Sequence, residues 1–457
     1  MSFELYEYKI EDLGKVITGK TPPSKISDAF SAQGIPFVTP KDMDGRRLID
    51  KTERYLSSQG VEAVRNCLLP QNSIAVSCIG SDMGKTVLLP GESITNQQIN
   101  AIVVDSEHFD YKYVYYYLST LQDDFKAIAG GSATPILNKG HFSQFKVSLP
   151  VKPVQNKIAL ILDSLDTKIE VNTEINHTLE QMAQALFKSW FVDFEPVKAK
   201  MAVLEVGGSQ EDATLAAMTA ISGKDADALA VFEREHPEQY AELKATAELF
   251  PSAMQDSELG EIPEGWELKS FGDVSKCYDK KRIPLSKPQR EKKKGEIPYY
   301  GATSIMDYVD EYIFDGIYLL LGEDGSVIKE SGLPFTQYIW GKSWVNNHAH
   351  VLTGSGSVTT EHLMVFIKQE NIAAYVTGAV QMKLNQKNMN SIPFIFADEA
   401  VNNVFGQRID SIYAVIRAKS EENLTLTNLR DTLLPKLLSG EITLPEAEQS
   451  VSEAENV

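Results

Sequence analysis

A glycine-rich stretch in the first half of the chain has some of the residues that bind nucleotide phosphates. It reads Gly80-Ser81-Asp82-Met83-Gly84-Lys85-Thr86 and ends in Gly-Lys-Thr, but three residues separate its glycines where the phosphate-binding loop requires four. A second glycine-rich segment, Gly322 to Ser326, occupies the equivalent place in the second half of the chain. We therefore predict turns between strands rather than a nucleotide site.

Two histidines, His348 and His350, could face one side of a strand, as metal ligands do. The sequence places neither a carboxylate nor a third histidine convincingly beside them, and the matching positions in the first half are Gln98 and Asn100. Ordinary strand packing is the favoured interpretation, and we predict no metal site.

The composition favours a cytoplasmic protein of more than one domain. The chain has 457 residues, too many for one ordinary core. Its three cysteines, Cys67, Cys78 and Cys277, form an odd set without metal-ligand spacing, which fits packing residues in a reducing compartment. No apolar run approaches the length of a membrane span, so no membrane association is expected.

The sequence contains no recognisable catalytic motif. A DNA methyltransferase needs a glycine-rich turn for S-adenosylmethionine and an Asn/Asp-Pro-Pro-aromatic motif, whereas the only double proline here is Pro22-Pro23 within Thr-Pro-Pro-Ser. No catalytic triad, paired catalytic carboxylates or nuclease constellation emerges from the other residues. We predict no catalytic residue and no cofactor in this chain.

Basic and polar residues suggest contacts with nucleic acid despite a net charge of −19. Residues 195–260 carry 13 acidic and 5 basic side chains, and residues 440–457 carry 5 glutamates and no base, so much of the acidity is confined to two segments. Elsewhere, lysine, arginine and glutamine side chains could reach phosphates or base edges. The candidate DNA-binding residues are Lys20, Lys41, Arg46, Arg47, Lys85, Lys139, Lys280, Lys281, Arg282, Lys292, Lys293, Lys294, Gln381, Lys383 and Lys387.

One long helix is predicted to organise these surfaces. Between Val154 and Glu195 there is neither glycine nor proline, and apolar residues recur at heptad spacing, which is typical of a helix that packs along another helix. Ile161, Lys168, Ile175 and Met182 form the second heptad position of the stripe, and Lys168 and Asn172 are polar positions in it that could fix the register. The predicted seam of this helix contains Ile158, Leu165, Ile169, Leu179 and Leu186.

The second half of the chain repeats the first. Leu13-Gly14-Lys15-Val16 returns as Phe271-Gly272-Asp273-Val274, and at a shift of 247 Gly131 and Asp163-Ser164 recur as Gly378 and Asp410-Ser411. The same shift predicts a second long helix, with a kink or early stop near Leu434 because Pro435 follows. Its seam contains Phe405, Ile412, Ile416, Leu426 and Leu433.

These residues resemble the DNA-specificity (S) subunits of type I restriction-modification systems. The most specific segments are the helix text LPVKPVQNKIALILDSLDTKIEVN, the restart ELGEIPEGWELKSFGDV, and WVNNHAHVL and VTGAVQMKLNQKN in the second half. The resemblance implies an α+β protein with two mixed α/β target-recognition domains in pseudo-two-fold repeat, separated by two long antiparallel spacer helices. Each recognition domain would read half of a bipartite site in double-stranded DNA.

The resemblance also implies partners and boundaries. Two methyltransferase subunits would supply S-adenosylmethionine and the chemistry, and restriction subunits would complete the complex. The expected segments are recognition domains at 1–150 and 261–398, spacer helices at 151–195 and 399–440, an acidic helical insertion or linker at 196–260, and a disordered acidic tail at 441–457. Residues 202–245 look like an insertion of unassigned role.

Two other interpretations stay open on the sequence alone. One is a DNA-modifying enzyme with a degenerate catalytic site, which would bind S-adenosylmethionine by itself. The other is a coiled-coil scaffold that binds only protein, and a complex built on it would not retard DNA.

Overall fold

The structure, a computed structural model, describes residues 3–129, 136–378 and 381–455. These residues form two compact units, of which the first is built from two separate segments of the chain and the second from one. Unit 1 comprises residues 1–173 and 420–457, and unit 2 comprises residues 174–419. Among the helices of the described ranges, none has the length and apolar character needed to cross a bilayer.

Helices and strands alternate through both halves of the chain. The α-helices are α1 Ser58–Ala63, α2 Tyr111–Ser119, α3 Gln122–Ile128, α4 Lys139–Gln144, α5 Lys152–Phe187, α6 Glu195–Glu205, α7 Gln210–Ser222, α8 Ala226–Glu235, α9 Pro237–Glu248, α10 Lys287–Lys292, α11 Thr360–Ile367, α12 Gln386–Asn390, α13 Glu399–Ser439 and α14 Leu444–Glu455. The first-half strands are β1 Tyr6–Lys9, β2 Gly14–Thr18, β3 Phe30–Ser31, β4 Ile35–Val38, β5 Tyr55–Leu56, β6 Ser73–Ser77, β7 Thr86–Leu89, β8 Ile94–Thr95, β9 Ile99–Val104 and β10 Lys146–Leu149. The second-half strands are β11 Met254–Gln255, β12 Ile262–Pro263, β13 Glu267–Ser270, β14 Ser275–Cys277, β15 Lys294–Tyr300, β16 Ile305–Val309, β17 Phe314–Asp315, β18 Tyr318–Gly322, β19 Thr336–Ile339, β20 Lys342–Val345, β21 Ala349–Gly354 and β22 Pro393–Phe396.

The two globules, formed by β1–β10 and β13–β22, share one sheet topology. In the first globule an antiparallel sheet has the order β2-β9-β6-β7, and in the second an antiparallel sheet has the order β14-β21-β18-β19. A parallel pair, β4 with β8 or β15 with β20, recurs beside each of these sheets, and each globule ends in a strand that pairs with its first strand. The predicted repeat and the α+β fold class are confirmed.

In unit 1 the first part of α5 lies antiparallel to the last part of α13. Asn172 donates to Asn423 Oδ1 at 3.0 Å, and Asp166 accepts from Arg430 at 2.7 Å. The earlier residue of α5 thus contacts the later residue of α13, as antiparallel helices require. Asn172 is 1% exposed. The amide pair fixes the register because any slip would leave buried polar atoms without partners. Lys168 makes only an exposed ion pair, to Glu422.

In unit 2 the remaining parts of the same helices pair through aromatic side chains. Phe187 and Phe191 both contact the ring of Phe405, with centroids 6.1 and 4.8 Å apart. The predicted seam residues all have restricted exposure. The buried ones are Ile158, Leu165, Phe405, Ile416, Leu426 and Leu433, and the half-buried ones are Ile169, Leu179, Leu186 and Ile412. The second heptad position is different, since Ile175 and Met182 are exposed.

The first long helix ends earlier than its sequence predicts. Helix α5 stops at Phe187, continues as a π-helical turn over Lys188–Val192, and gives way to Phe194 in the left-handed region at φ 54°. Pro196 cannot donate the amide that a continued helix would need. The break lets Trp190 and Phe194 both enter the core of unit 2.

The second long helix does not stop at the predicted place. Helix α13 runs through Pro435 to Ser439. Gly406, near its start, is required for packing, because a Cβ there would lie 2.8 Å from Cγ2 of Thr359, the N-cap residue of α11. The glycine that weakens the sequence signal therefore permits a close contact.

Residues 196–260 fold as a helical subdomain rather than as a linker. Helices α6 to α9 include a small core of their own, formed by Ala217, Met218, Leu229, Leu243 and Ala247. Ser209 and Asp225 cap α7 and α8, and Gly223 ends α7 in the left-handed conformation. The expectation that this segment is helical is met by α6 to α9.

The tail expected to be disordered contains a helix, α14. Ala447 is fully buried, and Leu444 and Val451 pack against the core of unit 1. Thr443 and Glu446 form the polar contacts that begin this helix. The expectation of disorder was wrong because the high acidic content concealed apolar residues spaced three to four apart.

A buried charge network joins the first globule to both helices of unit 1. Arg47 contacts Asp163 at 2.6 Å and Glu170 at 2.9 Å, and Asp166 accepts hydrogen bonds from Tyr116 and from Arg430. Burial alone would lower the pKa of Arg47, but hydrogen bonds to the two α5 carboxylates raise it well above its usual value. The network therefore holds both arginines charged.

Asp410 on α13, the position equivalent to Asp163 on α5, has the opposite electrostatic environment. Burial, then the nearby charge of Glu361, raises the pKa of Asp410 to about 6. By contrast, the pKa of Asp163 is lowered: burial would raise it, but Lys112 and Arg47 donate hydrogen bonds to the carboxylate. Arg417, at 3.1 Å from Glu361, is the cation of the unit 2 cluster.

Replacing Asp166 by alanine should lower the free energy of unfolding by about 3 kcal/mol, because the buried Tyr116 hydroxyl and one arm of the Arg430 guanidinium lose their carboxylate acceptor. Chemical denaturation checks this value. Asp431→Ala is the control, since Asp431 pairs with the same Arg430 at an exposed position and should cost under about 1 kcal/mol. Equal losses in the two variants would contradict the buried network.

Replacing Asp410 by asparagine should stabilise the protein at neutral pH by roughly 1 kcal/mol after allowance for solvent screening. The Asp410 carboxyl binds its proton more tightly in the folded state than in the unfolded chain. The stability that this protonation gives the wild type is therefore lost as pH rises from about 4 to about 6. Melting temperatures at pH 4.5 and 7 should show the gain at pH 7 only. The control is Asp315→Asn at an exposed site, which should leave the melting temperature unchanged at both pH values.

Candidate nucleic-acid interface

A polar corner turn joins two sheets in the first globule. Residues Asn96 to Gln98 connect β8 to β9, and Asn96 Oδ1 accepts the amide hydrogen of Gln98 at 3.0 Å. The backbone amide of Asn96 donates to Val38 O at 3.0 Å. Asn96 is buried, Gln98 is half-buried, and Gln97 is exposed and accepts a hydrogen bond from the Thr21 hydroxyl at 2.7 Å.

The second globule contains the same corner turn at Asn346 to His348, between β20 and β21. Asn346 Oδ1 accepts from the amide of His348 at 2.8 Å, and the amide of Asn346 donates to Tyr300 O at 3.1 Å. Asn346 is buried, whereas Asn347 and His348 are exposed. Both turns thus use a buried asparagine to fix the backbone. The next two side chains are exposed in the second globule, whereas in the first only Gln97 is exposed, and the half-buried Gln98 accepts a hydrogen bond from Asn96 Nδ2 at 3.1 Å.

Each corner turn is tied to the loop that precedes α4 or α12. In the first globule Cys78 donates its amide to Gln98 O at 2.8 Å and accepts from the amide of Leu137 at 3.0 Å. In the second globule Glu323 makes the same two bonds, to His348 O and from Leu384, both at 2.8 Å. One backbone residue therefore bridges turn and loop in each copy.

A buried polar side chain strengthens this link. Asn100 donates to Leu137 O at 3.4 Å, and His350 is 2.7 Å from Leu384 O through Nε2. The next residues, Asn138 and Asn385, cap α4 and α12 by accepting a backbone amide. The loop ends are thus fixed beside the corner turns, while residues 130–135 and 379–380, which include Gly131 of the predicted repeat, lie outside the described residues.

Three side chains around His350 have the types that bind metal ions, but their hydrogen bonds indicate a packing role. Ligand atoms of Cys277, Asp279 and His350 lie within 4.8 Å of one another. His350 Nδ1 is 2.5 Å from Asp279 and Nε2 faces Leu384 O, so neither ring nitrogen is available to a metal. Burial would raise the pKa of Asp279, but the hydrogen bond and charge of His350 keep it below its usual value. The sequence alone did not place this carboxylate beside the histidine.

Two arginines assigned to DNA contact are structural instead. Arg47 belongs to the buried network of unit 1, and its side chain is 11% exposed. The Arg282 side chain is also 11% exposed, and it contacts Glu323 at 2.7 Å, Asp279 at 3.3 Å and Ala349 O at 2.6 Å. Their assignment to DNA was wrong because sequence does not reveal which cations acidic neighbours enclose.

Other candidate cations are exposed or half-buried and already paired with carboxylates. Arg46 pairs with Asp44 and Asp50, and Lys85 with Asp82. The pairs in the second globule are Lys293 with Glu311, Lys294 with Asp307 and Lys383 with Glu323. These lysines and arginines could reach a phosphate only by giving up an existing partner.

The remaining candidates are exposed. Within the described ranges, no carboxylate lies within ion-pair distance of Lys20, Lys41, Lys139, Lys280, Lys281, Lys292 or Lys387, and Gln381 is exposed as well. The amide of Lys20 donates to Thr95 O, and Lys41 lines a cavity of about 300 Å³ together with Arg54, Asn96 and Gln98. In the second globule Lys280 and Lys281 form the helical turn just before Arg282. The structure therefore places two free lysines, Lys20 and Lys41, beside the first corner turn, while in the second globule the residue that follows Lys281, Arg282, bonds Ala349 O next to the other turn.

The tips of the corner turns, Gln97, Gln98, Asn347 and His348, are not among the residues predicted from the sequence to contact DNA. Their sequence signal is a short polar segment between two apolar strands, repeated in both halves with asparagine first. The structure shows that this asparagine is buried, that Gln97, Asn347 and His348 are exposed, and that Gln98 is half-buried.

The matched regions of a known family coincide with both globules and both long helices. A family described as "Type I restriction modification DNA specificity domain" matches residues 4–181 and 263–427. The chain belongs to this family. The matched ranges leave out all of α6–α9, the helical subdomain of residues 196–260.

Relatives and a solved structure agree with this membership. The chain is 33% identical over 329 residues to the HindI specificity subunit of Haemophilus influenzae, covering 66% of this chain and 70% of the relative. It is 24% identical to the MjaIX specificity subunit of Methanocaldococcus jannaschii, covering 96% and 93%. The crystal structure of a type I restriction-modification S subunit from M. genitalium has the same fold, with a TM-score of 0.52 at 14% identity over 95% of this chain and 96% of that one.

Replacing Lys280 and Lys281 by alanine should weaken DNA binding and reduce the slope of log K against log salt by about 1.8, since each lost phosphate contact contributes about 0.9. Binding titrations between 50 and 200 mM salt measure this slope. Arg282→Ala is the matched control, because losing its buried contacts should lower the melting temperature. An unchanged slope in the lysine variant would remove this turn from the interface.

Proposed function

We propose that the chain is the DNA-specificity subunit of a type I restriction-modification complex. Each globule reads one half of a bipartite site in double-stranded DNA, and the paired helices α5 and α13 set the gap between the halves. The observation that carries this proposal is the repeat itself: two globules share one topology and one corner turn but present different polar side chains. One scaffold with two different surfaces suits a split, asymmetric site.

The chemistry of such a complex belongs to its partners. Two methyltransferase subunits would bind S-adenosylmethionine and methylate adenine, and restriction subunits would add cleavage. The absence of methyltransferase motifs from the sequence supports a non-catalytic role for this chain. A degenerate modifying enzyme and a protein-only scaffold are not favoured by the family match. Three free cysteines fit the cytoplasm, where we place the complex.

Methylation-sensitive sequencing tests the proposal. Genomic DNA from cells with the intact gene should contain a two-part methylated motif with a fixed gap, and deletion of this gene alone should abolish the motif. Restoring the gene should restore the same motif. A motif that persists after deletion would overturn the proposed function.

Lengthening both helices should widen the gap without changing either half-site. Four residues inserted after Val171 in α5 and four after Leu424 in α13 add one turn of about 6 Å while keeping the helices paired, which corresponds to roughly two base pairs. Sequencing of methylated sites checks the gap. The control is the same insertion between Gly207 and Gly208, outside the helix pair, which should leave the gap unchanged. An unaltered gap in the helix variant would contradict the spacer role.

A further inference from the structure

We infer that the two corner turns are the base-reading elements of the protein: Gln97 and Gln98 read one half-site, and Asn347 and His348 read the other. The ligand is the set of base edges in a DNA groove, recognised by side-chain amides and an imidazole. This inference rests on the proposed function and assigns it to particular residues.

The first argument is that both tips are held rigidly. In each turn a buried asparagine closes the backbone through its own side chain, and a second bond joins its amide to the neighbouring strand. The carbonyl two residues later is fixed by Cys78 or Glu323, which also anchors the adjoining loop. Side chains mounted this way lose little conformational freedom on binding, which favours selective hydrogen bonding.

The second argument is which positions are alike and which differ. The buried asparagine, the bonds of its backbone amide and of its Oδ1, and the flanking parallel strand pairs are the same in both globules, so the backbone conformation is shared. The two presented positions are Gln-Gln in one globule and Asn-His in the other. Such a pattern is expected of two readers that use one scaffold for two sequences.

The third argument is the chemistry of the presented groups. Side-chain amides offer a donor and an acceptor together, which matches the N6 and N7 groups of adenine in the major groove. Thr21 bonds the oxygen of Gln97, which orients its amide, and Asp324 engages Nδ1 of His348, which orients the ring. Each reader therefore has side chains aimed by a neighbour before DNA arrives.

The fourth argument is the position of the lysines. Lys20 bonds Thr95 through its amide, and Lys41 lines the cavity that also contains Gln98. In the second globule Lys383 forms a β-bridge with Asp324, the residue bonded to His348. Phosphate contacts from Lys20 and Lys41, and from Lys383 once it leaves Glu323, would hold the groove against the corner turns and set the register, while the tips supply selectivity.

Two double variants in the full-length chain, expressed with the other genes of its own system, test the inference. Q97A/Q98A should relax base preference about tenfold or more at one or two positions of one half-site, since a bidentate base contact gives that order of discrimination. N347A/H348A should do the same in the other half-site only. Sequencing of methylated sites in cells reports both halves at once.

Gln71→Ala is the matched control. Gln71 is an exposed glutamine just before the first residue of β6, whereas the corner turn is bonded to Cys78 after the last residue of β6, so this variant should leave the motif unchanged. If a double variant unfolds below the growth temperature, the single variants Q97A and N347A, each at an exposed position, give the same reading. An unchanged motif in stably folded variants, or relaxation of both halves by one variant, would overturn the inference. The wild-type arm separates this failure from failure of the proposed function, which predicts a two-part motif regardless of how the tips behave.

Discussion

Burial of the apolar stripe of α5 against α13 is the constraint on which both units depend. Each helix contributes one part to unit 1 and another to unit 2, so neither globule has a complete core without both helices. The stripe alone would allow several registers, because leucine and isoleucine pack in many ways. The amide pair of Asn172 and Asn423 in unit 1, and the aromatic group around Phe405 in unit 2, select one register.

The globules combine this fixed frame with variable surfaces. Their antiparallel sheets β2-β9-β6-β7 and β14-β21-β18-β19, their corner turns and their loop anchors agree, whereas the residues presented to solvent differ. The partner of the loop carbonyl also differs, Asn100 in one copy and His350 in the other, although both are buried and both hold the loop. Chemically different side chains can thus fill one architectural role, which allows the exposed residues to diverge while the backbone stays constant.

The repeat, the fold class and the main helices could be predicted from the sequence because they depend on periodic apolar patterns. The end of α5 could not, since the π-helical turn and the left-handed Phe194 result from four aromatic side chains packing into one core. The identity of the free cations was also out of reach. Arg47 and Lys41 look alike in the sequence, but only the first is enclosed by carboxylates more than a hundred residues away.

The contrast between Asp163 and Asp410 has a consequence for how such proteins can be recombined. Arg47 and Lys112 belong to the first globule, while the carboxylates they neutralise belong to α5. The matching position on α13 instead faces Glu361 and Arg417. A globule transplanted into the first position must therefore bring its own cations to α5, or it leaves helix carboxylates buried without a counter-charge. Exchange between relatives is consequently subject to a compatibility rule at the helix junction, independent of the DNA sequence that the incoming globule reads.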